Sequence, residues 1–164
     1  MIELNSLLPA DCVRSGVTVN SRKAVLEWVA DRLAIVHPGI SSRSLFNALM
    51  ERERLGSTGL GAGVAIPHCR LDCPQLMGAL LSLTRPVSFD APDGEPVDLL
   101  FILIAPQDEP SAHLEALAAV ARVFGDPAER ERLRDAGSGE ALKHRFVEAA
   151  QRLASLPEAT ELAP

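Results

Sequence analysis

From Ser21 to Val36 the apolar residues recur at helical spacing, with Val25, Trp28, Val29, Leu33 and Val36 on one face. Asn20 or Ser21 is placed to cap the start, and His37-Pro38-Gly39 to stop the helix. Ser41 or Ser42 caps a second helix whose inner face is Leu45, Phe46, Leu49 and Met50, ending at Leu55-Gly56. The pattern then changes. Gly63 to Ile66, Met77 to Leu83 and Val87 to Phe89 read as short strands, and Asp90-Ala-Pro-Asp-Gly94 has turn chemistry. Val97 to Ala105 is almost wholly apolar, the mark of a strand covered on both faces at the centre of a sheet. After Pro106 to Pro110, Ser111 opens a helix with Leu114, Leu117, Ala118, Ala121 and Phe124 in the pattern. Asp126-Pro127 starts a short helix, because Asp caps and Pro fits the first turn. Another helix spans about Ser138 to Leu153.

Helices before, between and after strands predict a layered α/β sandwich, and the short link around Asp90 to Gly94 adds antiparallel pairing, so the sheet is mixed. No repeat or linker interrupts residues 1–155, which read as one domain. Residues 156–164 lack apolar periodicity and read as a disordered tail.

Composition narrows the function classes. A chain of 164 residues suits a single core. Its net charge of −6, with 16 basic residues scattered and no basic tract, argues against nucleic-acid binding. The longest apolar run, Leu99 to Ala105, falls far short of the roughly 20 residues needed to span a bilayer. The first residues carry neither the charged nor the apolar region of a signal peptide. Three cysteines without framework spacing read as reduced thiols, and the expected location is the cytoplasm.

The chemistry concentrates in Ser57-Thr-Gly-Leu-Gly-Ala-Gly-Val-Ala-Ile-Pro-His68-Cys-Arg70. Its glycines follow a helix and precede a strand, the reverse of the dinucleotide fingerprint, and no Gly-Lys-Ser/Thr follows. Ser57, Thr58, Gly59, Gly61 and Gly63 are candidate phosphate-binding residues, since their donors could face one anion. Pro67 presents His68, whose imidazole, with an ordinary pKa near 6.5, offers a lone pair able to attack phosphorus. The labile N–P bond suits a carrier. Arg52 supplies a nearby guanidinium, whereas Arg54 reads as part of a solvated charge run. His113 opens the helix after the central strand, where the helix terminus offers partial positive charge. His37 and His144 read as bland. One alternative is a zinc site built from His68, Cys69 and Cys73 with Cys12 or His37, though no second ligand pair stands nearby. A Cys69–His68 nucleophilic pair is disfavoured, because adjacent strand residues point to opposite faces.

Arg52 to His68 resembles the active-site segment of enzyme IIA of the fructose/mannitol class, part of the bacterial phosphoenolpyruvate-dependent phosphotransferase system. Phe89 to Pro106 looks like the nitrogen-type branch, and His113-Leu-Glu-Ala-Leu-Ala resembles the second histidine segment. The similarity runs over roughly residues 3 to 150. It implies a three-layer α/β/α fold around a mixed sheet, with His68 accepting phosphate, Arg52 contacting the phosphoryl group and His113 beside it. It implies a histidine phosphocarrier protein as donor, and regulatory targets of transporter or sensor-kinase type. Neither a cofactor nor a metal is called for. Cys69 stands where many members have Gly, and Ala62 where a common nitrogen-type form has Asn. Two other roles stay open: a sugar-uptake enzyme IIA serving a separate permease subunit, and a module that acts only by docking.

Overall fold

The computed structural model describes residues 3–108 and 110–155, so the tail expected at 156–164 lies outside the described residues. The order of elements is α1 (Leu4–Leu7), a 3-10 turn (Ala10–Cys12), β1 (Val13–Val17), α2 (Arg22–Val36), α3 (Ser42–Leu55), β2 (Gly59–Gly61), β3 (Val64–Ala65) and β4 (His68–Leu71). Then come β5 (Met77–Val87), β6 (Val97–Pro106), α4 (Pro110–Phe124), α5 (Pro127–Arg134) and α6 (Gly139–Ala154). Four helices are capped as their sequences demand: Ser21, Ser41 and Ser138 each accept the N3 amide of their helix, and Asp126 accepts two amides ahead of Pro127.

The sheet is mixed and six-stranded, in the order β1-β5-β6-β3-β2, with β4 also paired to β6. Strand β6 is its axis. It runs antiparallel to β5, pairing Ala79 with Ile102, and parallel to β3 and β4, pairing Val64 with Leu99 and His68 with Leu103. Residues 99–105 of β6 are fully buried, as an apolar run at the sheet centre requires. One core lies beneath α2 and α3 and includes Val25, Leu33, Leu45, Ile102 and Ile104. The other lies beneath α4 and α6 and includes Leu99, Phe101, Leu103, Val120 and Phe146. This is the expected α/β/α sandwich.

Several expectations shift. Strand β5 continues through Val87 where two strands were expected. It bulges between Ser82 and Val87, where Pro86 cannot donate to a ladder. The strand expected from Gly63 to Ile66 shrinks to Val64–Ala65, bounded by Gly63 at φ +79° and by Pro67. The inner face of α4 is rotated from the expected one: it buries His113, Ala116, Val120, Val123 and Phe124 and leaves Leu114 63% exposed. An Ala- and Leu-rich helix carries two equally periodic stripes, and packing against β6 selects between them. Strands β1, β2 and β4 are too short or too polar to announce themselves.

Candidate active site

Pro67 divides one edge of the sheet into β3 and β4, while its carbonyl still accepts the amide of Leu103 at 2.9 Å. His68 therefore begins β4 at a fixed height beside β6. Its Nδ1 lies 2.7 Å from the carbonyl oxygen of Ile66. A carbonyl can only accept, so Nδ1 carries the proton and the neutral ring keeps its lone pair on Nε2. Burial lowers the His68 pKa from the usual 6.5, and the Arg52 charge lowers it further, while the Ile66 hydrogen bond and Glu53 oppose both. At neutral pH the ring is a neutral base.

His113 of α4 meets His68 edge to face, with ring centroids 5.6 Å apart. It is buried, and its Nδ1 has no hydrogen-bond partner among the described residues. Burial also lowers its pKa, with the neighbouring His68 and Arg70 acting in the same direction. Arg52 stands in the last turn of α3 and donates from Nη1 to the carbonyl of Gly56 at 2.8 Å. The structure thus brings His68, His113 and the Arg52 charge together, and it separates Arg54, which pairs with Glu51 at 2.7 Å on the surface.

The glycine segment is a tight hairpin rather than an open cradle. Strands β2 and β3 pair antiparallel around Ala62, itself at φ +56°, and the Ala62 amide donates to Asp93 Oδ2 at 2.9 Å. Ser57 Oγ donates to the Phe89 carbonyl, and the Gly59 amide donates to Ser57 Oγ at 2.9 Å. Both the Thr58 hydroxyl and the Thr58 amide donate to Glu53. In this structure the donors of Ser57, Thr58 and Gly59 are engaged with protein acceptors, and reaching an anion would require leaving them. Gly59 has a steric role, since a Cβ there would stand 2.8 Å from the Ala91 Cβ, whereas Gly63 is set by its backbone at φ +79°, where any side chain is strained. Arg134 bonds Asp98 at 3.0 Å and the Ala62 carbonyl at 2.6 Å, tying α5 to the hairpin.

Cys69, the next residue along β4, turns into the core beneath α2 and α3, away from the His68–His113 contact, and burial pushes its thiol up to about 12. Strand alternation thus separates it from His68, against both the zinc and the thiol–imidazole arrangements. No cluster of three or more His, Cys, Asp or Glu suited to a metal occurs among the described residues. His144 is 77% exposed near Glu148, and His37 closes α2. Sequence reasoning missed Glu53 and Arg22. Glu53 continues the stripe of Leu45 and Leu49 at four-residue spacing, a signal that it faces inward.

Comparison with known proteins shows the family and the fold. Residues 6–148 match the family described as the phosphoenolpyruvate-dependent sugar phosphotransferase system, EIIA 2. A nitrogen regulatory protein of Pseudomonas aeruginosa is 44% identical over 143 residues, covering 87% of this chain and 93% of that protein. One from Klebsiella oxytoca is 41% identical over 150 residues, covering 90% and 92%. The crystal structure of the nitrogen regulatory protein IIA-Ntr from Neisseria meningitidis superposes with a TM-score of 0.80 at 37% identity, covering 87% of this chain and 98% of that one. The mannitol IIA of Escherichia coli, at 18% identity and a TM-score of 0.69 over 84% of this chain and 97% of that one, shares the fold. No described helix is long and apolar enough to cross a membrane. The chain belongs to the EIIA 2 family of the phosphoenolpyruvate-dependent sugar phosphotransferase system.

Proposed function

We propose that His68 accepts a phosphoryl group on Nε2 from a histidine phosphocarrier protein, and that its phosphorylation state regulates target proteins in the cytoplasm. The observation that carries this reading is the 2.7 Å contact of Nδ1 with the Ile66 carbonyl, which leaves Nε2 as the nucleophile. In the transfer step the Nε2 lone pair forms the new N–P bond as the donor's N–P bond breaks. The electron pair of the broken bond returns to the donor imidazole, which takes up a proton from water while His68 keeps its own on Nδ1. Because burial and Arg52 keep His68 unprotonated, little of the acceptor is lost to the imidazolium at neutral pH. This reading assigns the phosphoryl oxygens to Arg52, whose charge acts on His68, and to His113, whose ring meets that of His68. Ser57, Thr58, Gly59, Gly61 and Gly63 enter mainly as the hairpin that sets the position of this site.

Regulation is favoured over sugar uptake by the nitrogen regulatory relatives at 41% and 44% identity. Leu55, Leu60 and Leu114, in the segments that carry Arg52, the hairpin and His113, are 83%, 51% and 63% exposed. Phosphorylation adds nearly two negative charges, which a target packed over His68 would have to desolvate. The test is incubation with phosphoenolpyruvate, the first enzyme and the phosphocarrier. Acid-labile phosphate is expected on the wild type and not on His68→Ala, and phosphorylated protein is expected to bind its target more weakly.

A further inference from the structure

Glu53 lies within the run Glu51-Arg52-Glu53-Arg54, yet its side chain is only 1% exposed. Three donors converge on it: the Thr58 hydroxyl on Oε2, and the Thr58 amide at 3.4 Å and Arg22 Nη1 at 3.5 Å, both on Oε1. Buried carboxylates persist where they are paired and hydrogen-bonded, and this one meets both conditions. Phosphoryl transfer at His68 does not consume it.

Its bonding does lead to His68. The Ile66 amide donates to the Thr58 carbonyl at 3.1 Å, and the Ile66 carbonyl accepts His68 Nδ1. Glu53 thus holds Thr58, Thr58 holds the Ile66 backbone, and Ile66 sets the tautomer and tilt of the imidazole. Arg22 braces the far side. Its Nη1 also reaches the Phe89 carbonyl at 3.5 Å, the acceptor used by Ser57, and its Nη2 lies 3.3 Å from Asp90. We propose that Glu53 is a positioning residue for His68, with Arg22 as its counter-ion, acting through Thr58 and Ile66. This inference rests on His68 being the phosphoacceptor. The charged and titratable groups acting on His68 are Arg52 and Glu53 from α3, with His113 from α4 in ring contact.

The test is Glu53→Gln, which keeps the shape and removes the charge. It is read by single-turnover phosphotransfer across pH and by nitrogen-resolved NMR of the His68 ring in unphosphorylated protein. The plateau rate is expected to fall by about ten- to a hundred-fold, the scale on which misplacing a reacting group acts. The acid limb should move to lower pH, because Glu53 raises the His68 pKa, and the share of the Nδ1–H tautomer should drop. A purely structural role would lower the plateau and the melting temperature while leaving the acid limb and the tautomer in place. Arg22→Met, at a side chain 29% exposed, is the second variant. It should also reduce the Nδ1–H share, and its effect on rate should be smaller in Glu53→Gln than in the wild type. An unchanged tautomer in either variant, or rate effects that multiply independently, would overturn the proposal. If wild-type protein takes up no phosphate, the phosphoacceptor reading fails, whereas the ring spectra alone decide the role of Glu53.

Discussion

His113 presents its ring at 89° to that of His68, 5.6 Å away, and the Nδ1 of His113 is buried without a partner among the described residues. Two neutral imidazoles tolerate this proximity: burial lowers the pKa of each below the usual value, and for His113 the neighbouring His68 and Arg70 act in the same direction. Phosphorylation replaces one of them with a group carrying nearly two negative charges. The pKa of His113 should therefore rise when His68 is phosphorylated, since an adjacent anion favours the imidazolium. Titration of the His113 ring by NMR in both forms checks this, and an unmoved His113 would place the phosphoryl group elsewhere.

Arg52 and Arg54 are separated by two positions and should differ in function. The Arg52 charge acts on His68, whereas Arg54 pairs with Glu51 in solvent. A charge-assisted hydrogen bond contributes about 1.5–3 kcal/mol, so Arg52→Ala should slow phosphotransfer by roughly ten- to a hundred-fold. Arg54→Ala should leave the rate nearly unchanged, as exposed pairs contribute little. Equal slowing in rapid-quench measurements would remove Arg52 from the site.

Acid sensitivity follows from three histidines. Burial lowers the pKa of His37, His68 and His113 below the 6.5 of the unfolded chain. Between the two values the unfolded state binds more protons, so this contribution to stability is intact above pH 6.5 and is lost as pH falls through the folded-state values. Melting temperature should drop as pH decreases below 6.5, and less steeply in His37→Gln, whose buried Nε2 also has no partner among the described residues. Parallel profiles for wild type and variant would exclude His37 as a contributor.

The layout of the fold was readable because strong local signals agreed with it. Serine caps marked α2 and α3, Asp126-Pro127 marked α5, and the run from Leu99 to Ala105 marked the sheet axis. His68 stood out because a glycine segment and a proline converge on it. Less was readable where tertiary packing decides. The inner stripe of α4 was ambiguous among Ala and Leu, and the loop donors of Ser57 and Thr58 were committed to Phe89 and Glu53 by residues distant in sequence or hidden in a charge run. Arg22, 31 residues before Glu53, carries no local sign of that contact. A polar site built from several elements is legible only once the chain is folded.

The most direct test asks which atom carries the phosphoryl group. Protein with nitrogen-labelled histidine, phosphorylated through phosphoenolpyruvate and its phosphocarrier, is examined by NMR for phosphorus–nitrogen coupling. The Nδ1–Ile66 hydrogen bond predicts one phosphoryl group on His68 Nε2, with Nδ1 still protonated. Phosphate on Nδ1 of His68, on His113, or on no histidine would contradict the account.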